Sequence, residues 1–220
     1  FEGFSGYLHR DADNFWGDLL KDDQVHGVYC HAHARRRFEA ITQQVKKQGL
    51  AHEAVRYYKK LYRIERRAKD EKMSAEERYA LRQAESKPLL EEYKAWLDKH
   101  VDSVLPQSPL GKAFQYSIKH WSNLILFLEN GRLEIDNNLM EQAIKPVIAR
   151  KNFMFAQSVD GAHALCLHFS LIRSALENGL SPYRYYVELL KAVPYCETVE
   201  DFEKLLPWNL RETKPELIGK

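Results

Sequence analysis

Between Gly131 and Ala156 the chain reads GRLEIDNNLMEQAIKPVIARKNFMFA. One acidic residue, Glu141, falls on a helix that opens just after the polar corner Asp136-Asn137-Asn138, and cations follow at Lys145, Arg150 and Lys151. A carboxylate flanked by cations suits a site that holds a divalent metal and a phosphate backbone together. Magnesium takes carboxylate oxygens and keeps several waters, and Lys and Arg grip phosphate without reading base sequence. On spacing alone, Glu141 reads rather as a solvated helix residue, and Asn137 or Asn138 as an ordinary helix cap.

The same run resembles the glutamate segment of DDE transposases of the insertion sequence 66 family. That segment reads roughly D-N-N-x-x-E-R-x-x-R-P, then R-K-N-x-x-F. Asp136, Asn137, Asn138, Glu141, Pro146, Arg150, Lys151, Asn152 and Phe155 match it. Gln142 and Lys145 stand where the family usually has arginine. Lys145 keeps the charge but loses the bidentate fork. Three further segments are similar, in the same order. Gly6-Tyr7-Leu8-His9-Arg10-Asp11 resembles the strand ending in the family's second catalytic aspartate, and Cys30-His31-Ala32-His33-Ala34-Arg35-Arg36-Arg37-Phe38 its C-W-A-H-A-R-R-x-F segment. Asn178 to Tyr183 and Leu205 to Asn209 resemble its C-terminal region.

The resemblance implies an α/β, mostly helical fold: a partial RNase H-like catalytic core with a helical insertion and a helical C-terminal region. It divides the chain into core strands and a following helix at 1–49, the insertion at 50–110, the glutamate-bearing part of the core at 111–178, and the C-terminal region at 179–220. Asp11 and Glu141 become the catalytic carboxylates and the ligands of Mg²⁺ (or Mn²⁺), with Asp13 as the alternative to Asp11. Two such ions activate the attacking oxygen and stabilise the leaving one in phosphodiester displacement. Arg35, Arg36, Lys145, Arg150 and Lys151 become DNA contacts. Cys30, His33, Asn137 and Asn138 become active-site support. A Cys-x-x-His pair is only half a zinc site.

The implied activity is DNA transposition, hydrolysis at a transposon end followed by strand transfer into target DNA, by a homo-oligomer. A DDE site needs three carboxylates, and only Glu2 is acidic before Asp11. The chain therefore reads as the C-terminal part of a catalytic domain, inactive by itself. The alternatives are a non-catalytic DNA-binding or assembly fragment and an unrelated RNase H-like nuclease.

The elements that must position these residues follow from periodicity. Residues 3–9 and 25–30 read as short strands, with Asp11 at the end of the first. Beyond Ala32 the pattern is helical. Ala54, Val55, Tyr58, Leu61 and Tyr62 recur at helical spacing, as do Leu89, Leu90, Tyr93, Trp96, Leu97 and Val101. Ser74 with Glu77 forms the sequence signature of a capping box, and Pro88 should kink or divide the stretch it interrupts. Ile118, Trp121, Ile125 and Leu128 suggest one further helix closed by Asn130-Gly131. Leu167, Leu171, Ala175 and Leu176 mark another, stopped by Gly179, and Ser181-Pro182 opens the next. The aromatic residues Tyr57, Tyr58, Tyr62, Trp96 and Trp121 read as core.

With 220 residues, 45% hydrophobic and 29% charged, the chain has the composition of a globular protein with a substantial core. No apolar run approaches the roughly 20 residues needed to span a bilayer. Three cysteines, an odd number without metal spacing, point to reduced thiols and a cytoplasmic setting. A net charge of +2 says little about a polyanionic partner, but the cations cluster locally, most densely at Arg35-Arg36-Arg37.

Overall fold

The computed structural model describes residues 4–12, 24–45, 47–150 and 156–219. The chain divides into two compact units, Phe1–Leu139 and Met140–Lys220. The described residues are mostly helical, with one small parallel sheet.

In the first unit, β1 (Gly6–Arg10) pairs in parallel with β2 (Val25–Tyr29), Gly6 opposite Val25 and Arg10 opposite Tyr29. Each strand is shorter than its sequence pattern. The β2 backbone passes straight into α1 (His31–Gln44), which buries Ala34 and Phe38. In α2 (Leu50–Asp70) the buried face runs through Ala51, Ala54, Tyr58, Leu61, Glu65 and Ala68, the spacing of one helical stripe. α3 (Ala75–Leu81) opens on the expected capping box: the Ser74 hydroxyl accepts from Glu77 N–H, and the Glu77 carboxylate accepts from Ser74 N–H.

Pro88 does divide the next stretch, and in an unusual way. Residues Arg82–Ser86 form a π-helical turn, and α4 (Lys87–His100) starts with Pro88 in its first turn. Proline has no N–H to donate, and its ring crowds the carbonyl four residues back, at Ala84. Widening that turn relieves the clash without ending the helix.

The stripe from Ile118 to Leu128 is not one helix. α5 (Pro109–Lys119) stops at His120, whose ψ of 17° leaves the helical region. α6 (Trp121–Ile125) and a 3₁₀ turn (Leu126–Glu129) follow. The bend turns α6 onto the sheet. The Asn123 amide donates to Gly27 O across 2.9 Å, and the Leu124 carbonyl lies 2.9 Å from His31 Nε2. The aromatic residues behave as core. Tyr58 is buried, with Tyr57, Tyr62, Trp96 and Trp121 packed against the same cluster.

Arg82 closes this unit. Its guanidinium is wholly buried, and all five of its N–H groups find acceptors: Glu65 Oε1 and Oε2, and the carbonyls of Phe127, Asn130 and Leu133. Arg78 adds bonds to Glu65 and Glu134. The clamp draws the 127–134 loop against α2 and α3. Gly131 meets α3 so closely that a Cβ there would sit 1.8 Å from the Ala75 carbonyl oxygen.

The second unit begins within α7 (Asn138–Arg150), which carries Pro146 without ending there. α8 (Val159–Glu177) follows and stops at Gly179, whose φ of 73° favours glycine. α9 (Pro182–Ala192) starts with proline as expected, although the Ser181 side chain makes no capping bond. α10 (Val199–Lys204) and α11 (Pro207–Thr213) complete it around Ala175, Leu180, Tyr185, Leu210 and Leu217. Among the described residues no helix is long and apolar enough to cross a membrane.

Two stability measurements check this packing. Arg82→Met leaves Glu65 buried with one cation fewer and should cost about 3–5 kcal/mol in urea unfolding. A loss under about 1 kcal/mol would show that the clamp is dispensable. The second concerns His31, fully buried and held neutral because burial lowers its pKa to about 4. The unfolded chain therefore takes up a proton near pH 6.5 that the folded chain refuses until about pH 4. Stability should fall as pH drops through that window, by about 3 kcal/mol in all. His31→Gln should flatten the dependence, and an unchanged pH profile in that variant would contradict it.

Candidate functional site

Asp11 directly follows β1, and Cys30 directly follows β2, so both stand at the carboxyl end of the same parallel pair. That end is where open parallel sheets place their ligands, because loops and helix N-termini converge there. The two loops are bonded to each other through Cys30 N–H and the Arg10 carbonyl, 3.1 Å apart. Arg10 itself is buried, a role that the sequence did not signal. Its Nε–H donates to the Asp11 carbonyl at 2.8 Å, and its Nη2 to the Tyr29 hydroxyl at 3.1 Å, with the guanidinium lying 4.9 Å from the Tyr29 ring. Arg10 thereby fixes the backbone that presents the Asp11 carboxylate.

Asp11 lines a cavity of about 460 Å³ together with Ala12, His33, Arg36, Arg37 and Tyr116. Three of the residues singled out in the sequence, Asp11, His33 and Arg36, are thus brought together. Arg35 is not with them. Successive helix residues point about 100° apart, and Arg35 turns to Glu39, 2.6 Å away, and to the Tyr62 ring. Arg37 takes the cavity position instead, its guanidinium 4.0 Å from the Tyr116 ring.

Cys30 serves packing. Burial pushes its thiol pKa up, although the backbone amides of Asn137, His33 and Ala32 pull the other way. A buried neutral thiol is a poor metal ligand. Its neighbours join it to the Asp136 corner. His31 N–H donates to the Ile135 carbonyl at 3.1 Å, and the Tyr62 hydroxyl donates to Asp136 Oδ2 at 2.8 Å. Asp136 Oδ1 accepts from Asn138 N–H at 3.1 Å, so the bond that opens α7 comes from Asp136 rather than from either asparagine. Asn137 points a buried Oδ1 that accepts no hydrogen bond among the described residues.

Glu141 lies in the first turn of α7, half-buried, with Lys145 exposed one turn on along the same face. Asp11 belongs to the first unit and Glu141 to the second. The Arg150 side chain, Lys151 and Asp13 fall outside the described residues. Among the described residues no group of three or more His, Cys, Asp or Glu side chains is arranged to hold a metal. The donor chemistry at the strand ends, a hard carboxylate oxygen beside cations, fits magnesium or manganese better than a thiolate-seeking ion.

The model of the transposase IS66 family matches residues 1–164, and that of the IS66 C-terminal element matches residues 170–208. Two relatives from Sinorhizobium fredii are the uncharacterized proteins y4jD, 38% identical over 216 residues, and y4hP, 32% identical over 223. Each alignment covers 94% of this chain but only 41% and 40% of the relative, so the chain spans about two-fifths of their length. No solved structure matches it significantly. With family models covering both its strand-bearing part and its C-terminal helices, the chain belongs to the IS66 transposase family.

Proposed function

We infer that this chain forms part of a DNA transposase whose whole protein hydrolyses phosphodiester bonds at transposon ends and transfers the freed strand to target DNA. The observation that carries this reading is Asp11, set at the carboxyl end of a parallel strand and opening into a cavity with His33, Arg36 and Arg37. A carboxylate beside two guanidiniums can seat a metal-associated phosphodiester, where Arg forks pair with phosphate oxygens.

In this reading β1, β2, α1 and the 111–178 segment that carries α7 belong to an RNase H-like core, and residues 50–110 are a helical insertion. Asp11 and Glu141 would hold a divalent cation, Mg²⁺ or Mn²⁺, which supplies Lewis-acid polarisation of the scissile phosphate. The chain's own groups do the rest. Arg36 and Arg37 neutralise and orient the phosphate. Arg10 and the Cys30 junction hold Asp11 in place. Lys145, with Arg150 and Lys151, extends the contacts along the strand as a homo-oligomer brings DNA ends and target together.

A second reading, a DNA-binding or assembly piece without catalysis, is favoured by one observation. Asp11 is the single carboxylate lining its cavity among the described residues. A titration of the chain with Mn²⁺, followed by electron paramagnetic resonance, separates the two. If Asp11 and Glu141 share an ion, Asp11→Asn and Glu141→Gln should each weaken binding at least about tenfold, and the double variant should bind no worse than the weaker single. Losses that simply add would mean independent sites. In the longer protein, Glu141→Gln should abolish Mg²⁺-dependent strand transfer with DNA affinity unchanged. Retained strand transfer in that variant would remove Glu141 from the site.

A further inference from the structure

A second cavity, of about 560 Å³, adjoins the one at Asp11 and shares Arg37 and Tyr116 with it. Along it α5 sets Lys112, Gln115, Tyr116 and Lys119, with His120 just beyond. The spacing of three, four and seven residues puts these on one face of the helix. The opposite face, with Ala113, Phe114 and Ser117, is buried. Lys112, Gln115 and Lys119 are exposed.

This stripe differs from the other charged helices. α2 interleaves Glu53, Glu65 and Asp70 with its cations, and α4 pairs Lys94 with Asp98. α5 contains no acidic residue at all, and among the described residues no carboxylate lines the second cavity. Positive charge is concentrated there. Burial, then Lys119, Arg37 and Arg10, hold the His120 imidazole below its usual pKa. A solvated surface face would carry mixed signs, whereas a phosphate track needs one sign.

We propose that the groove between α1 and α5, lined by Arg37, Lys112, Gln115, Lys119 and His120, is the path by which a DNA strand leaves the Asp11 cavity, gripped through its phosphates. Lys112 and Lys119 stand seven residues and so roughly 10 Å apart along the helix axis. That distance corresponds to about three nucleotide steps of a duplex strand. The contact is to backbone, so it positions DNA without selecting sequence. The proposal rests on the transposase reading and adds Lys112, Gln115, Lys119 and His120, none of them singled out in the sequence, to its DNA path.

The test is binding of the whole chain to a short duplex of arbitrary sequence, measured by fluorescence anisotropy between about 50 and 200 mM salt. Lys112→Gln with Lys119→Gln should reduce the slope of log affinity against log salt by about 2, one ion release per lost phosphate contact. Gln115→Lys should raise it by about 1. Lys59→Gln with Lys69→Gln, an equal charge loss on exposed positions of α2, should leave it unchanged. Far-UV circular dichroism confirms that each variant is folded. Equal losses from both double variants, or no loss from either, would overturn the groove while leaving the transposase reading intact. A wild-type chain with no salt-dependent affinity would overturn that reading as well.

Discussion

The first unit depends on one buried cation. Arg82 holds no surface charge partner; it is sunk where a guanidinium can stay only if every N–H is paired. Its partners come from α2 and from three separate carbonyls of the 127–133 loop. A lysine has three donors on a flexible stem and could not make these five bonds. The π-helical turn that begins at Arg82 and the proline that follows it are parts of the same arrangement, because they set the direction from which the guanidinium enters.

The consequence reaches the chemistry. Pinning the 127–133 loop fixes Ile135, whose carbonyl accepts from His31 N–H, and Asp136, whose carboxylate joins Tyr62 to the first turn of α7. His31 in turn begins the helix that carries His33, Arg36 and Arg37. The helices from α2 to α6 thus act as a brace. They tie the Asp136 corner, from which the Glu141 helix departs, to the junction of β2 and α1. The Tyr7 hydroxyl adds a bond from β1 to Glu129 in the same loop. A brace of this kind lets a small two-stranded sheet, marginal by itself, hold Asp11 in a defined place.

Legibility followed the range of each interaction. The capping box at Ser74 and Glu77, the stripe of α2 and the strand before Asp11 could be read because their partners lie within a few residues or repeat with a period. Arg82 could not. Its acceptors lie 17 to 51 positions away, and a lone arginine between Leu81 and Gln83 looks like any solvated one. His31 was hidden similarly, since its acceptor is Leu124. That Arg37 rather than Arg35 lines the Asp11 cavity was not legible, because helix phase depends on where α1 packs, not on the run of three arginines. The single helix read from Ile118 to Leu128 failed because His120 bends to meet the sheet. The motif around Glu141 identified the family, yet the helix-opening bond fell to Asp136, the motif residue assigned no role.

The central proposal is that Asp11 and Glu141 serve one metal-dependent site. Anomalous diffraction from crystals grown with Mn²⁺ tests it most directly. The account predicts a manganese peak bonded to a carboxylate oxygen of Asp11, with the Glu141 carboxylate within about 8 Å and joined through the ion or its waters. Manganese bound elsewhere, with Asp11 and Glu141 on opposite faces of the protein, would contradict it.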